Sequence, residues 1–336
     1  MLRTNSRIYA IASKSLASLL RISTPVTKTA VFASSPRGFA SLAEIKEKLA
    51  GMGNIKAKMN DFFLTHVRDN NTDIVSAMLN EGMDVNTTVK GVTALHVTAQ
   101  VGYEDMTKLL LAHKPTLEAR DDEGYTPLLW AAARNHAPVV AELLTAGADV
   151  TASTPRDGFS PLHHACAAGN VPVATLLLDA RANPDARAAD GSTCVHSAVF
   201  ANKTRVLELL LSRGAVPTLE HTPGLTPLFI AAYQGQADAV RALLAAGATA
   251  DQASTTLGVT ALAGAAAQGH EVCAQLLLDQ GASVEHVDGD GLTPLQWARK
   301  NKHTAVEQLL LKAQKQQKKA AAAAAGITSG SESSSM

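Results

Sequence analysis

The sequence predicts an all-α chain: a solenoid of about seven to eight stacked helix–turn–helix repeats joined by tight turns. Two observations carry that prediction. One block of residues recurs every 33 or 34 positions, and the 46% apolar share is supplied mainly by Ala and Leu, with aromatics at only 4%. Small and unbranched apolar residues favour closely packed helices over sheets. The 336 residues contain no run of eighteen consecutive apolar positions, so no segment is expected to span a membrane.

The first element, residues 1–39, holds Arg3, Arg7, Lys14, Arg21, Lys28 and Arg37 and no acid. Arg7, Lys14 and Arg21 are seven apart and share one helical face. Ile11, Leu16, Leu19 and Leu20 lie to the other side. With its frequent Ser and Thr, the segment resembles a mitochondrial matrix-targeting presequence. Arg37-Gly38-Phe39 before Ala40-Ser41 resembles a processing site, which would put the mature start near Ala40. A plastid transit peptide shares this composition and is the alternative address.

Residues 40–60 are expected to form an N-terminal capping helix. Ser41-x-x-Glu44 is a capping box, and Leu42, Ile45, Leu49 and Met52 follow at helical spacing, with Gly51 and Gly53 breaking the helix. From there to 311 the chain is acidic. Residues 40–311 hold 20 basic and 29 acidic side chains, a net charge of −9, so nucleic acid is an unlikely ligand for this body.

The repeats occupy 61–325, starting near 61, 91, 124, 158, 191, 224, 258 and 291. "GYTPLLWAAARN", "GFSPLHHACAAG" and "GLTPLFIAAYQG" are three of seven registered copies; "FFLTHVRDNNTDIVSAMLNEGMDVN" from Phe62 is a weaker one. The leading glycine supplies φ > 0 in a tight turn. Thr126, Ser160, Thr226 and Thr293 are placed to cap the first helix, and Pro127, Pro161, Pro227 and Pro294 follow at its first position, where a missing N–H costs nothing. Ala pairs let neighbouring first helices approach. Leu runs in the second helix supply core bulk, and Gly147, Gly214, Gly247 and Gly281 end it. One unit cannot bury its own apolar face, so the units must stack. The last second helix has no Gly-Ala stop and is expected to continue to Gly326; residues 326–336, "GITSGSESSSM", are expected to be a disordered tail.

This pattern resembles the ankyrin repeat. The resemblance implies that His96, His163 and His196 hydrogen-bond to nearby backbone and tie adjacent repeats together. Leu129, Phe229, Ala263 and Gln296 replace that histidine elsewhere, so those junctions need another device. In "SPLHHACAAGN" His163 and Cys166 stand i, i+3 and could share a face, but structural zinc needs four ligands and no further His or Cys recurs at ligand spacing. A thiol nucleophile needs a base and a pocket. Cys166, Cys194 and Cys273 are odd in number and contain no CxxC, and they sit at small-residue slots. They are read as buried fillers in a reducing compartment. The expectation is of no catalytic residue, no cofactor and no metal.

The resemblance further implies a concave binding surface built from the turn tips and the solvent ends of the first helices. In this sequence those positions hold Tyr125, Trp130, Arg134, Phe159, Phe200, Leu225, Tyr233 and Gln234, with Asp157 and Asp190 on the turns. So many of the chain's scarce aromatics on one face suggest interface anchors. Phe159 and Leu225 could equally pack within the turn stack, and Trp130 could be partly core. The acidic turns, which include Asp122, Glu123 and Asp290, favour a protein partner with a basic segment through steering. The function expected is a non-enzymatic scaffold or adaptor in mitochondria, as a subunit or assembly factor of a larger complex. The alternative is an RNA- or ribosome-associated factor using Lys312, Lys315, Lys318 and Lys319 of the C-terminal helix.

Overall fold

The computed structural model describes residues 55–222 and 224–329, with side chains to 321. These form two compact units, one ending at Ala189 and one beginning at Asp190. The first contains α1 (Ile55–Arg68), α2 (Thr72–Asn80), α3 (Ala94–Val101), α4 (Glu104–Ala112), α5 (Pro127–Ala133), α6 (Ala137–Thr145), α7 (Pro161–Ala168) and α8 (Val171–Asp179). The second contains α9 (Cys194–Phe200), α10 (Thr204–Ser212), α11 (Pro227–Tyr233), α12 (Ala237–Ala245), α13 (Ala261–Gln268), α14 (Glu271–Asp279), α15 (Pro294–Lys300) and α16 (Thr304–Ser329). Each unit is therefore four helix pairs. Among the described residues there is no strand; two isolated bridges, Val89 with Val92 and His221 with Leu225, are the remnants of hairpins between repeats.

The first helix of each pair starts as the sequence dictates. Thr126 Oγ1 accepts from Leu129 N at 3.3 Å, Thr226 Oγ1 from Phe229 N at 3.1 Å and Thr293 Oγ1 from Gln296 N at 3.3 Å. Proline occupies the first position of α5, α7, α11 and α15. Most second helices end in Schellman motifs, where glycine is favoured because the residue beyond the cap is left-handed. Gly147 (φ 93°) donates to Leu144 O at 3.0 Å, and Ala148 donates to Leu143 O at 3.0 Å. The same pair of bonds closes α8 although Arg181 (φ 66°) stands in the glycine position.

The core is a column of aliphatic side chains between the two helices of each pair. Val139, Val140 and Leu143 of α6 are buried, as are Val173, Ala174 and Leu177 of α8 and Val206, Leu207 and Leu210 of α10. This i, i+1, i+4 spacing gives each second helix one narrow apolar edge. Each leucine so buried contributes roughly 1.5–3 kcal/mol. Cys166 and Cys194 are fully buried and Cys273 takes the corresponding core position of α14. Burial pushes the Cys273 thiol up, away from the reactive thiolate.

Three boundaries differ from expectation or fall outside the description. The presequence and residues 40–54 of the expected capping helix lie outside the described residues; residues 55–60 are the opening turns of α1. At the other end α16 passes through Gly326 to Ser329, 26 residues or about 39 Å. Residues 326–329, expected in the tail, are thus helical, and 330–336 lie outside the described residues.

Candidate protein-binding surface

In the first unit the surface is organised by Asp121. Its Oδ1 accepts from Glu123 N at 3.0 Å and Tyr125 N at 2.8 Å, which closes the turn over Gly124 (φ 82°). Its Oδ2 accepts from Trp130 Nε1 at 2.6 Å. The carboxylate therefore fixes both the turn tip and the first helix below it. Trp130 is only 3% exposed. Tyr125, half-buried, packs on Trp130 with ring centroids 4.7 Å apart and on His164 at 5.6 Å. On Trp130 also lies the Arg134 guanidinium, 5.6 Å from the ring centroid. Burial, with Glu123, Asp157 and Asp121 nearby, pushes the Tyr125 phenol up to about 12. His164 is pushed down to about 3, first by burial and then by His163.

Several expected anchors are not free. Phe159 is 2% exposed and packs with Ala167 and Ala188, and its N–H donates to Thr154 Oγ1 at 3.0 Å. It belongs to the turn stack, as does Leu225, also 2% exposed, whose carbonyl accepts from His221 Nδ1 at 3.0 Å. Phe200 is covered edge-on by His221 at 5.5 Å, and Tyr233 is stacked on Phe229 at 5.8 Å; both rings are buried. The physical reason is that the next hairpin or a helical neighbour lies over the end of the first helix. Asp190 builds its turn, accepting from Ser192 N at 2.9 Å and from the Ser192 hydroxyl at 2.5 Å. Gln234 is exposed, and Arg134, Tyr125 and Asp157 are half-exposed. What a partner can reach in the free chain is this polar and tyrosine rim.

The histidines span junctions. His96 Nδ1 accepts from Thr93 N at 3.2 Å and from the Thr93 hydroxyl at 2.7 Å, while Nε2 donates to Tyr125 O at 2.9 Å. His196 does the same with Thr193 and Leu225 O, the latter at 3.3 Å. His163 Nδ1 accepts from Ser160 N at 3.2 Å. Phe229, which replaces the histidine, leans over Gly264, where a Cβ would come within 3.0 Å of its ring.

A second ladder escaped the sequence reading. His136 Nε2 donates to Gln100 O at 3.1 Å, His270 to Tyr233 O at 3.1 Å and His303 to Ala267 O at 3.2 Å. Gln236 donates to Val199 O at 2.8 Å. Each residue stands just before a second helix and reaches back one repeat. Gly102, Gly235 and Gly269 make room, since a Cβ there would come within 2.3, 2.6 and 2.5 Å of the imidazole. The register held the signal: a donor recurs at that position, but as His, Gln or Tyr, the last being Tyr103, whose hydroxyl donates to Arg68 O at 3.1 Å.

Comparison with known proteins places this geometry. The family model described as ankyrin repeats (3 copies) matches residues 63–154, 151–221, 181–254 and 228–322. Alpha-latrocrustotoxin-Lt1a of Latrodectus tredecimguttatus is 37% identical over 87 residues, 26% of this chain and 6% of the toxin. An ankyrin repeat protein of Borreliella burgdorferi is 29% identical over 106 residues, 32% of this chain and 47% of that one. The chain thus spans less than half the length of either relative. Among solved structures, the ankyrin repeat domain of human ASB11 aligns with a TM-score of 0.60 at 28% identity, covering 66% of this chain and 98% of that domain. The ankyrin repeat domain of Bcl-3, described as a unique member of the IkappaB protein family, aligns at 0.59 and 28%, covering 67% and 100%.

Proposed function

The chain belongs to the ankyrin repeat family, whose repeats generally mediate protein–protein interaction, and on that premise we propose that it is a non-enzymatic scaffold acting in mitochondria. It would serve as an adaptor or as a subunit of a larger assembly. The observation that carries the binding role is the Tyr125–Trp130–Arg134 row of the first unit. It is fixed by Asp121 and leaves Tyr125 and Arg134 half-exposed, Tyr125 beside the acidic residues Glu123 and Asp157. Rigid aromatic and arginine side chains with unspent hydrogen-bonding capacity are the usual material of interface hot spots. The buried cysteines argue against thiol chemistry.

The mitochondrial address rests on the acid-free leader and the "RGFAS" junction. The test has two arms. Purification of the tagged chain from isolated mitochondria should bring down a defined protein partner, and Tyr125→Ala should reduce its recovery without loss of helical signal. N-terminal sequencing of the endogenous chain should begin near Ala40. A chain that retains Arg3 and Arg7 would remove the matrix assignment, and a partner indifferent to Tyr125→Ala would move the binding surface elsewhere.

A further inference from the structure

Arg134 makes no hydrogen bond and no ion pair through its side chain among the described residues; its guanidinium lies over the Trp130 ring. Its Nε is buried without a partner. Trp130 in turn cannot swing away, because its indole N–H is committed to Asp121 Oδ2. The guanidinium is thus laid on a fixed platform, charged at every physiological pH, with its planar donor edges unspent. Nearby polar capacity is also unmet. Both nitrogens of His164, whose ring lies against Tyr125, lack a partner, as does Asn170 Nδ2 at the start of α8. Buried donors left unpaired on two successive repeats call for an explanation that the free chain does not contain.

At the turn end of α5 the acids Asp121, Glu123 and Asp157 gather, while the Arg120 guanidinium there is committed to Gly124 O at 2.7 Å and Ser153 O at 2.9 Å. Glu123 and Asp157 lie close enough to Tyr125 to act on its phenol, and both are partly in solvent. The Trp130 ring lies 5.6 Å from the Arg134 guanidinium and 4.7 Å from the Tyr125 ring that the acids flank, so guanidinium and phenol ring stand roughly 10 Å apart at most. An extended peptide covers that span in about three residues.

Resting on the inner-face reading above, we propose that the partner of the first unit is an extended peptide segment carrying a carboxylate and a cationic side chain about three residues apart. Its Asp or Glu takes the bidentate edge of Arg134, and its Lys or Arg lies against Glu123 and Asp157. This adds a carboxylate to the basic segment expected from the sequence. A basic residue alone satisfies the turn tips and leaves Arg134 unpaired.

The experiment selects from a display library of random twelve-residue peptides on the immobilised full chain. The selected peptides are then measured by fluorescence anisotropy. The enriched peptides should share an acidic and a basic residue at that spacing. Changing the peptide's acid to its amide, or Arg134→Gln in the chain, should each weaken binding at least tenfold. Arg134→Lys should recover only part, because an ammonium lacks the fork. The peptide change leaves the protein untouched, so it decides the matter even if Arg134→Gln disturbs folding. Peptides that lose binding with Tyr125→Ala, yet carry no acid and ignore Arg134→Gln, would overturn the carboxylate assignment and leave the inner-face reading standing. Failure to enrich any peptide, or peptides indifferent to both variants, would overturn both.

Discussion

His164 occupies the slot that holds Trp130 and Trp297 in other repeats, fully enclosed and with no partner for either ring nitrogen. Its imidazole is held near 3, against an ordinary 6.5. A base depressed in the folded state gives stability that is whole above the unfolded value and lost as pH falls toward the folded one. Each pH unit inside that window is worth 1.36 kcal/mol, so His164 alone should cost the fold about 2 kcal/mol between pH 6.5 and pH 5. His164→Leu removes the titration and both unpaired nitrogens while keeping an apolar body against Tyr125 and Phe159. It should raise stability at pH 7 by roughly 1–3 kcal/mol, and its advantage should grow by about 2 kcal/mol more at pH 5. His66, His96, His221 and His270 are also lowered, burial being the main cause. Both chains will therefore keep some acid sensitivity, and the quantity to read is the difference between them. Urea unfolding followed by far-ultraviolet circular dichroism at pH 7, 6 and 5 supplies it. An advantage that stays constant across those three pH values would refute the reasoning.

Gly264→Ala should destabilise the second unit by about 1–3 kcal/mol through overpacking against Phe229, and Phe229→Leu should relieve most of that in a double-mutant cycle by thermal denaturation. Trp130→Phe keeps the ring and loses the bond to Asp121, which should cost about 1–3 kcal/mol and speed amide exchange at Glu123 and Tyr125. Lys315→Gln with Lys319→Gln should leave protein-partner capture unchanged. If it instead abolishes a strongly salt-dependent retention of RNA, the nucleic-acid alternative takes precedence.

The fold was legible because its causes are local and repeated. A hydroxyl at the N-cap, proline at the next position and glycine beyond the second helix each act within a few residues, so period and register could be read directly. The binding face was legible only in part. Register assigns Phe200 and Tyr233 to the end of a first helix, but burial depends on what covers them. For Phe200 that is His221 from the following hairpin, and for Tyr233 it is Phe229 one turn earlier. The second ladder was missed because its chemistry is conserved in kind and not in residue: any donor long enough to reach a carbonyl one repeat back will serve. The partnership of Phe229 with Gly264 was hidden in the same way, since each looks like a simple departure from the pattern until the two are seen in contact.

At the final repeat the histidine slot holds Gln296. Its Oε1 accepts from Thr293 N at 2.8 Å, so it caps α15 as a histidine would, but the side chain is exposed and offers no second nitrogen for a following hairpin. Leu129, Phe229 and Ala263 at the same slot are buried. Arg299 and Lys300 join Gln296 in solvent. This surface of α15 is therefore wet, whereas the corresponding slots of α5, α11 and α13 are dry. Stacked modules carry a standing risk of head-to-tail polymerisation, since each open end resembles the surface its neighbours were built to receive. Here the surface carries exposed Gln296, Arg299 and Lys300, which disfavour the burial that docking another copy would need. Gln296 keeps the half of the histidine that caps the helix and leaves its own side chain in water.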